Sequence, residues 1–235
     1  MKNILVFVLF ILALTSQAQV TDFDGNLYDT VRIGSQIWMT KNLDVSTFRN
    51  GDSIREAKTS EEWKSAGENK QPAWCYYNNE PKNGKKYGKL YNWYAVNDPR
   101  GLAPEGWHVP SVTEWDSIIE FFGGEEMAGR KMKSKEGWSN NYYGTDESGF
   151  GALPGGSRLI GGDFIEVKGF TNLNGSDEAG WWWSSSLYQD SNYDWKNNQA
   201  WDVVIGGGRR NIPWDDAGIS WNSHELGLSV RCIKD

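Results

Sequence analysis

Residues suited to chemistry gather in the last third of the chain. Between 188 and 223 the sequence interleaves the rings Tyr188, Tyr193, Trp195, Trp201, Trp214 and Trp221 with Asp190, Asn192, Asp194, Asn197, Asn198, Asp215, Asp216 and Asn222. Aromatic rings stack on the apolar faces of pyranoses, while carboxylates and amides take their hydroxyls. The same residue types also suit a protein-binding surface. Just upstream, GWWWSSSLY (180–188) sets three tryptophans side by side. Alternate residues of a strand point to opposite faces. Trp181 and Trp183 are therefore expected in the core, with Leu187 continuing their side, and Trp182 is the ring left for a loop or a ligand. The candidate binding set is Trp182, Tyr188, Asp190, Tyr193, Asp194, Trp195, Asn197, Trp214, Asp215, Asp216 and Trp221. The competing reading makes these rings core and leaves the polar residues to solvate long loops.

Signatures of catalysis are thin. No G-x-S-x-G turn offers a hydrolase nucleophile, and no Gly-Lys-Ser/Thr follows a strand to form a phosphate loop. Acids such as Glu166 and Asp202 could form a glycosidase pair only in three dimensions, and nothing selects a pair. The two histidines, His108 and His224, and the two cysteines lie too far apart in sequence for a zinc site. His108 precedes a helix start, where a structural hydrogen bond is expected of it. Asp190, Asp194, Asp215 and Asp216 could hold a hard cation, so a structural calcium is the one cofactor left open. Cys75 and Cys232 allow a single intramolecular disulfide, which export would permit; two buried thiols are the alternative.

Composition bounds the frame that must position these groups. Met1 and Lys2, an apolar run from Ile4 to Leu14, and a small-residue site ending at Ala18 read as a signal peptide over residues 1–18. No cysteine follows that run, which argues against a lipid anchor there. The expectation is one domain over residues 19–235, secreted, periplasmic or on the outer cell surface, with no membrane insertion. A formal charge of -7 disfavours nucleic acid as a partner. Fourteen tryptophans and scattered aliphatics predict a core of few, bulky rings, and 27 glycines predict many turns.

The pattern then assigns elements. VRIG and QIWM alternate around Gly34-Ser35, as a hairpin does. Residues 50–72 read as a polar surface excursion, with one short helix capped by Thr59 and Glu62. PAWCYYNN reads as strand, and NNEPKNGKKYG as loop. Leu90, Trp93 and Tyr94 have helical spacing. Ser111 and Glu114 have capping-box spacing, Trp115, Ile118, Ile119 and Phe122 share a face, and Gly123-Gly124 ends the helix. AGRKMKS continues as a further helix or an extension of it. From 137 onward come short strands and glycine-rich loops. In the closing LGLSVRCIKD, Leu228, Val230 and Cys232 alternate with Ser229, Arg231 and Ile233. Strands, two short central helices, then strands again predict an α+β domain whose first and last strands pair.

Four segments, VRIGSQIWMTKNL, WCYYNNEPKNGKKYGKLYNWYAV, GWHVPSVTEW and GLSVRCIKD, strongly resemble the Fibrobacter succinogenes major paralogous domain. That family occurs in exported proteins of Gram-negative bacteria, particularly the Bacteroidota and Fibrobacter groups. The resemblance runs from about residue 20 to the end. More distantly, GWHVPSVTEW and the WWWSSS and GLSVRC pair look like segments of formylglycine-generating-enzyme-like domains. Both likenesses imply a C-type-lectin-like fold with antiparallel strands and long glycine-rich loops. The oxidase of the second group uses a copper-binding cysteine pair, and its sulfoxide synthase relatives use an iron site rich in histidine, which this chain lacks the residues to match. The calcium-dependent sugar motif of true C-type lectins is also missing, since Glu80-Pro81-Lys82-Asn83 carries an inserted lysine and lies too early. The resulting expectation is an exported, non-catalytic binding module for a glycan or a cell-surface protein. An altered enzyme on the formylglycine-generating scaffold and a purely structural surface protein are the alternatives.

Overall fold

The computed structural model describes residues 19–138, 144–165, 171–172, 175–176, 179–189, 198–206 and 217–235. The chain opens with β1 (Gln19–Thr21), β2 (Leu27–Ile33) and β3 (Gln36–Met39); β2 and β3 pair antiparallel around Gly34-Ser35 as the alternation predicts, and β1 pairs antiparallel with β2. Residues 50–72 are more than an excursion. They hold β4 (Arg55–Glu56) and α1 (Ser60–Glu68), and α1 drives Trp63 into a small core with Cys75, Tyr77 and Leu90. Polar composition hid this because only one large ring of α1 faces inward. Its N-terminus carries the predicted capping box of Thr59 and Glu62.

β5 (Ala73–Cys75) pairs parallel with β4 and antiparallel with β6 (Leu90–Tyr91). Between them lie two 3-10 turns and the single-turn α2 (Gly84–Tyr87). The helix predicted around Leu90 shortens to one turn, α3 (Trp93–Val96), because Leu90 belongs to β6 and Asn92 caps the turn at Ala95. β7 (Trp107–His108) leads to α4 (Val112–Phe121), capped by Ser111 and Glu114, and to α5 (Glu125–Met132). Of the five described α-helices, α1, α3 and α4 stand where the pattern placed helices, α5 is the further helix rather than an extension of α4, and α2 lies in a stretch read as loop.

The second half adds β8 (Ser157–Arg158), β9 (Phe164–Ile165), β10 (Thr171–Asn172), β11 (Gly175–Ser176), β12 (Gly180–Leu187), β13 (Gln199–Ile205), β14 (Ala217–Ser223) and β15 (Ile233–Lys234). β12, β13 and β14 form an antiparallel sheet, while β8 with β9 and β10 with β11 form separate ribbons. β15 inserts between β3 and β7, giving the order β1-β2-β3-β15-β7. The expected pairing of first and last strands is thereby corrected: β15 joins the N-terminal hairpin through β3, while β1 pairs with β2. The fold is a mixed α+β architecture with several antiparallel sheets.

Tryptophan dominates the core. Trp38, Trp63, Trp115, Trp182 and Trp183 are all fully buried. Most buried indoles find an acceptor for the ring N–H, as a buried donor must. Trp183 donates to the Tyr91 carbonyl at 2.8 Å, Trp93 to that of Ser184 at 3.0 Å, and Trp63 to that of Glu225 at 3.0 Å.

Two expectations about individual residues are corrected. Trp182 is not left over for a ligand. It is 0% exposed, packs with Trp38, Trp115 and Val203, and donates to Asn42 Oδ1 at 2.8 Å. The alternation argument failed because this sheet is buried on both faces, with helices α4 and α5 covering the Trp182 side. Trp183 is core as expected, but Trp181 is only partly buried, and Leu187 is exposed because a bulge breaks the register between Trp183 and Leu187. The disulfide is corrected too. Cys75 and Cys232 are free, buried thiols in different clusters. Burial pushes both thiols upward, Cys75 to about 12 even with Arg158 opposing the shift.

Candidate functional site

The candidate site assembles on the sheet of β12, β13 and β14. Trp201 and Trp221 lie directly opposite each other in the β13–β14 register, so they share a face. Val203 and Ile219, the next pair along, share that face too. Toward Val203 and Ile205 the face is covered by the helices and closes into core. Toward the other end it surfaces, and Trp221 keeps 43% of its area exposed. Tyr188 follows β12, tied by its N–H to the Gln199 carbonyl at 3.0 Å. Its ring stacks on Trp221 with centroids 4.7 Å apart and planes at 7°. Trp201 stands edge-on to both, at 4.9 Å from Tyr188 and 6.0 Å from Trp221. The three rings fix one another's planes and present a partly open aromatic platform.

Of the residues named from sequence, Tyr188 and Trp221 come together here, and Trp182 belongs to the core. Asp190, Tyr193, Asp194, Trp195, Asn197, Trp214, Asp215 and Asp216 lie outside the described residues, as does Glu166. Asn198 and Asn222, part of the same polar series, use their side chains internally. Asn222 donates to the buried Asp202 at 2.9 Å, and Asn198 accepts from Tyr94 at 3.0 Å and donates to Glu225 at 3.2 Å.

Both histidines are held by contacts within the fold. His108 bridges Asp235 Oδ1 at 2.7 Å and Glu114 Oε1 at 2.9 Å, tying the C-terminal residue to the α4 cap. Partial burial pulls its pKa down, but the hydrogen bonds to Asp235 and Glu114 outweigh this and raise it. His224 stacks on Trp93 at 4.2 Å and is held below its usual value, chiefly by burial. Among the described residues no group of three or more His, Cys, Asp or Glu is placed to hold a metal ion. The aspartates considered for calcium lie outside those residues. No described helix is long and apolar enough to cross a membrane.

Three polar residues central to the architecture were missed. Asn42 Oδ1 accepts from Trp182 and from the Arg231 guanidinium at 3.1 and 2.6 Å, and Asn42 Nδ2 donates to the Tyr87 carbonyl at 2.8 Å. Arg231 is fully buried, also donates to the Phe150 carbonyl, and stacks on the Phe150 ring at 4.2 Å. Arg158 is fully buried beneath the β8–β9 turn. The one signal for Arg231 was its place in a short closing run that is otherwise apolar or small. Arg158, inside a glycine-rich stretch, gave none.

The class of protein is thus a tryptophan-cored α+β domain whose last strand pairs with the N-terminal hairpin, with an aromatic platform at one sheet end. The family model for the Fibrobacter succinogenes major domain matches residues 31–234. The chain belongs to that family. No curated protein and no solved structure matches it.

Proposed function

We propose that the protein is an exported, non-catalytic binding module on a C-type-lectin-like scaffold, and that its ligand is a glycan engaged on the Tyr188–Trp201–Trp221 platform. The observation that carries this reading is Trp221, a large ring partly open to solvent with its plane held by Tyr188 stacking. A fixed aromatic face loses little freedom when a pyranose stacks on it. The signal-like start of the chain favours an extracytoplasmic ligand, and the net charge of -7 with no basic run disfavours a polyanionic one. Pairing of the last strand with the N-terminal hairpin favours the lectin-like scaffold. Altered oxidase chemistry of the formylglycine-generating kind is disfavoured because the two thiols it would need together sit buried in separate clusters.

A glycan array probed with the chain from residue 19 onward, with and without calcium, tests the reading. Binding to at least one glycan class is expected, weakened about tenfold in Trp221→Ala with a stability loss below about 1 kcal/mol. No binding under either condition rules out the glycan ligand. Capture of an envelope protein instead would move the reading to a surface-protein partner.

A further inference from the structure

A concave site lies on different elements from the platform. An open cleft of about 710 Å³ runs between the turns that follow β5 and the β8–β9 turn. That volume falls within the roughly 300–1,000 Å³ used by small-ligand sites. Its rings are Tyr77, Tyr87 and Phe164, with Tyr77 edge-on to Tyr87 at 6.4 Å and to Phe164 at 5.6 Å. Asn78, Asn79 and Asn83 add amides.

The walls of this cleft are anchored from beneath by Arg158. Its guanidinium donates to the carbonyls of Gly162 at 2.9 Å, Ala57 at 2.7 Å and Thr59 at 2.9 Å, and reaches Asn79 Oδ1 at 3.5 Å. It lies between the Trp63 and Phe164 rings, at 4.9 and 4.8 Å. Burying a cation is costly unless its hydrogen bonds are well met, and here they bind three chain segments into one rigid wall. Gly162, at φ +94°, seats the β8–β9 turn so close to α1 that a Cβ would collide with the Ser60 backbone. Asn78 and Asn79 are both left-handed, at φ 54°. Non-glycine residues take that conformation rarely and at a cost, and such residues gather at ligand clamps.

The charges narrow the ligand. Lys82 pairs with Glu80 at 2.5 Å. Counting Glu80, Asp163 and Lys82, the lining carries two acids and one base, a net of -1. At the rim Lys86 places its Nζ 4.7 Å from the centre of the Tyr87 ring, which brings the cleft and its edge close to neutral rather than basic. Rings flanked by amides and near-neutral charge match a neutral polyhydroxylated ligand.

We propose that this cleft is a second, independent binding site for a short neutral oligosaccharide. It does not depend on the platform. If both sites are occupied by one polymer, the linkage raises the effective concentration at the second site and strengthens overall attachment.

The test uses isotope-labelled chain from residue 19 onward carrying Trp221→Ala, titrated separately with cellohexaose, xylohexaose, mannohexaose, laminarihexaose and a lysine-rich pentapeptide, and followed by amide shifts. At least one of these should move the amides of residues 77–87 and 162–164. Tyr87→Ala and Asp163→Ala, both outside the core, should each weaken that response about tenfold without lowering the melting temperature. The proposal is overturned if no saccharide moves these amides, if both variants respond unchanged, or if only a lysine-rich pentapeptide moves them. In the unaltered chain, shifts confined to Tyr188 and Trp221 would likewise overturn the cleft and leave the platform reading standing. Shifts confined to the cleft would support it and count against the platform.

Discussion

Two tryptophans mark the range of roles one residue type takes here. Trp182 is enclosed by rings and hydrogen-bonded to Asn42, whereas Trp221 stands at the sheet end, stacked on Tyr188. Trp182→Ala should cost about 3–5 kcal/mol, from lost burial and a large cavity. Trp221→Ala should cost less than about 1 kcal/mol. Chemical denaturation of both variants checks the contrast, and equal losses would place both rings in the core. The histidines should give opposite pH responses. His108 titrates higher in the folded chain, so its contribution is full below the unfolded value of about 6.5 and is lost as pH rises through the folded value. His224 titrates lower when folded, so its contribution is full above about 6.5 and is lost as pH falls through the folded value. Thermal melts of His108→Gln and of the parent should therefore converge toward alkaline pH. Those of His224→Gln and the parent should converge toward acid.

At the scale of elements, α4 is the part whose start is most fully specified. The Ser111 hydroxyl accepts from the Glu114 N–H at 3.3 Å, and the Glu114 carboxylate takes the Ser111 N–H at 2.8 Å. Glu114 also receives His108, so one carboxylate ends β7 and begins α4. Ser111→Ala should cost about 1 kcal/mol, read from a thermal melt. It should also move His108, because that side chain shares the Glu114 carboxylate, and the imidazole pKa measured by NMR should shift. An unmoved imidazole would show that the cap and the bridge are independent. β12 carries the opposite lesson. Its bulge after Trp183 interrupts the side-chain alternation on which any reading of WWWSSSL depends.

Across the whole molecule, the closing run 228–235 is the keystone. Leu228 exchanges two backbone bonds with Tyr91, at 2.9 and 3.1 Å. The carbonyls of Val230 and Cys232 accept from Leu43 and Met39, at 2.8 and 3.0 Å, and Ser229 does the same for Trp183 at 3.0 Å. Leu228, Val230 and Cys232 fill one core cluster while Ile233 fills another, so the run joins two halves of the interior. A chain ending at Gly227 should not fold. Loss of the near-ultraviolet tryptophan circular dichroism and a red-shifted emission would show it, and a native spectrum would refute it.

Much of the local structure was legible in the sequence. The hairpin at Gly34-Ser35, both capping boxes and the apolar face of α4 follow from turn chemistry, side-chain reach over one helical turn, and period-2 or 3.6 patterning; which strand the closing run would pair with did not, since it meets β3 and β7 and not the first strand. The aromatic platform was legible in part, because Tyr188 and Trp221 stand in a stretch rich in rings and amides. What the sequence could not decide depends on contacts between distant segments. Burial of both sheet faces sent Trp182 inward, and a bulge released Leu187. Separate clusters kept Cys75 from Cys232, and carbonyls from residues far apart in the chain gathered around Arg158 and Arg231. A sequence states which side chains can bury a ring or satisfy a cation. Which partner each one meets is decided by tertiary packing, because a buried polar group is tolerable only where the fold supplies its hydrogen bonds.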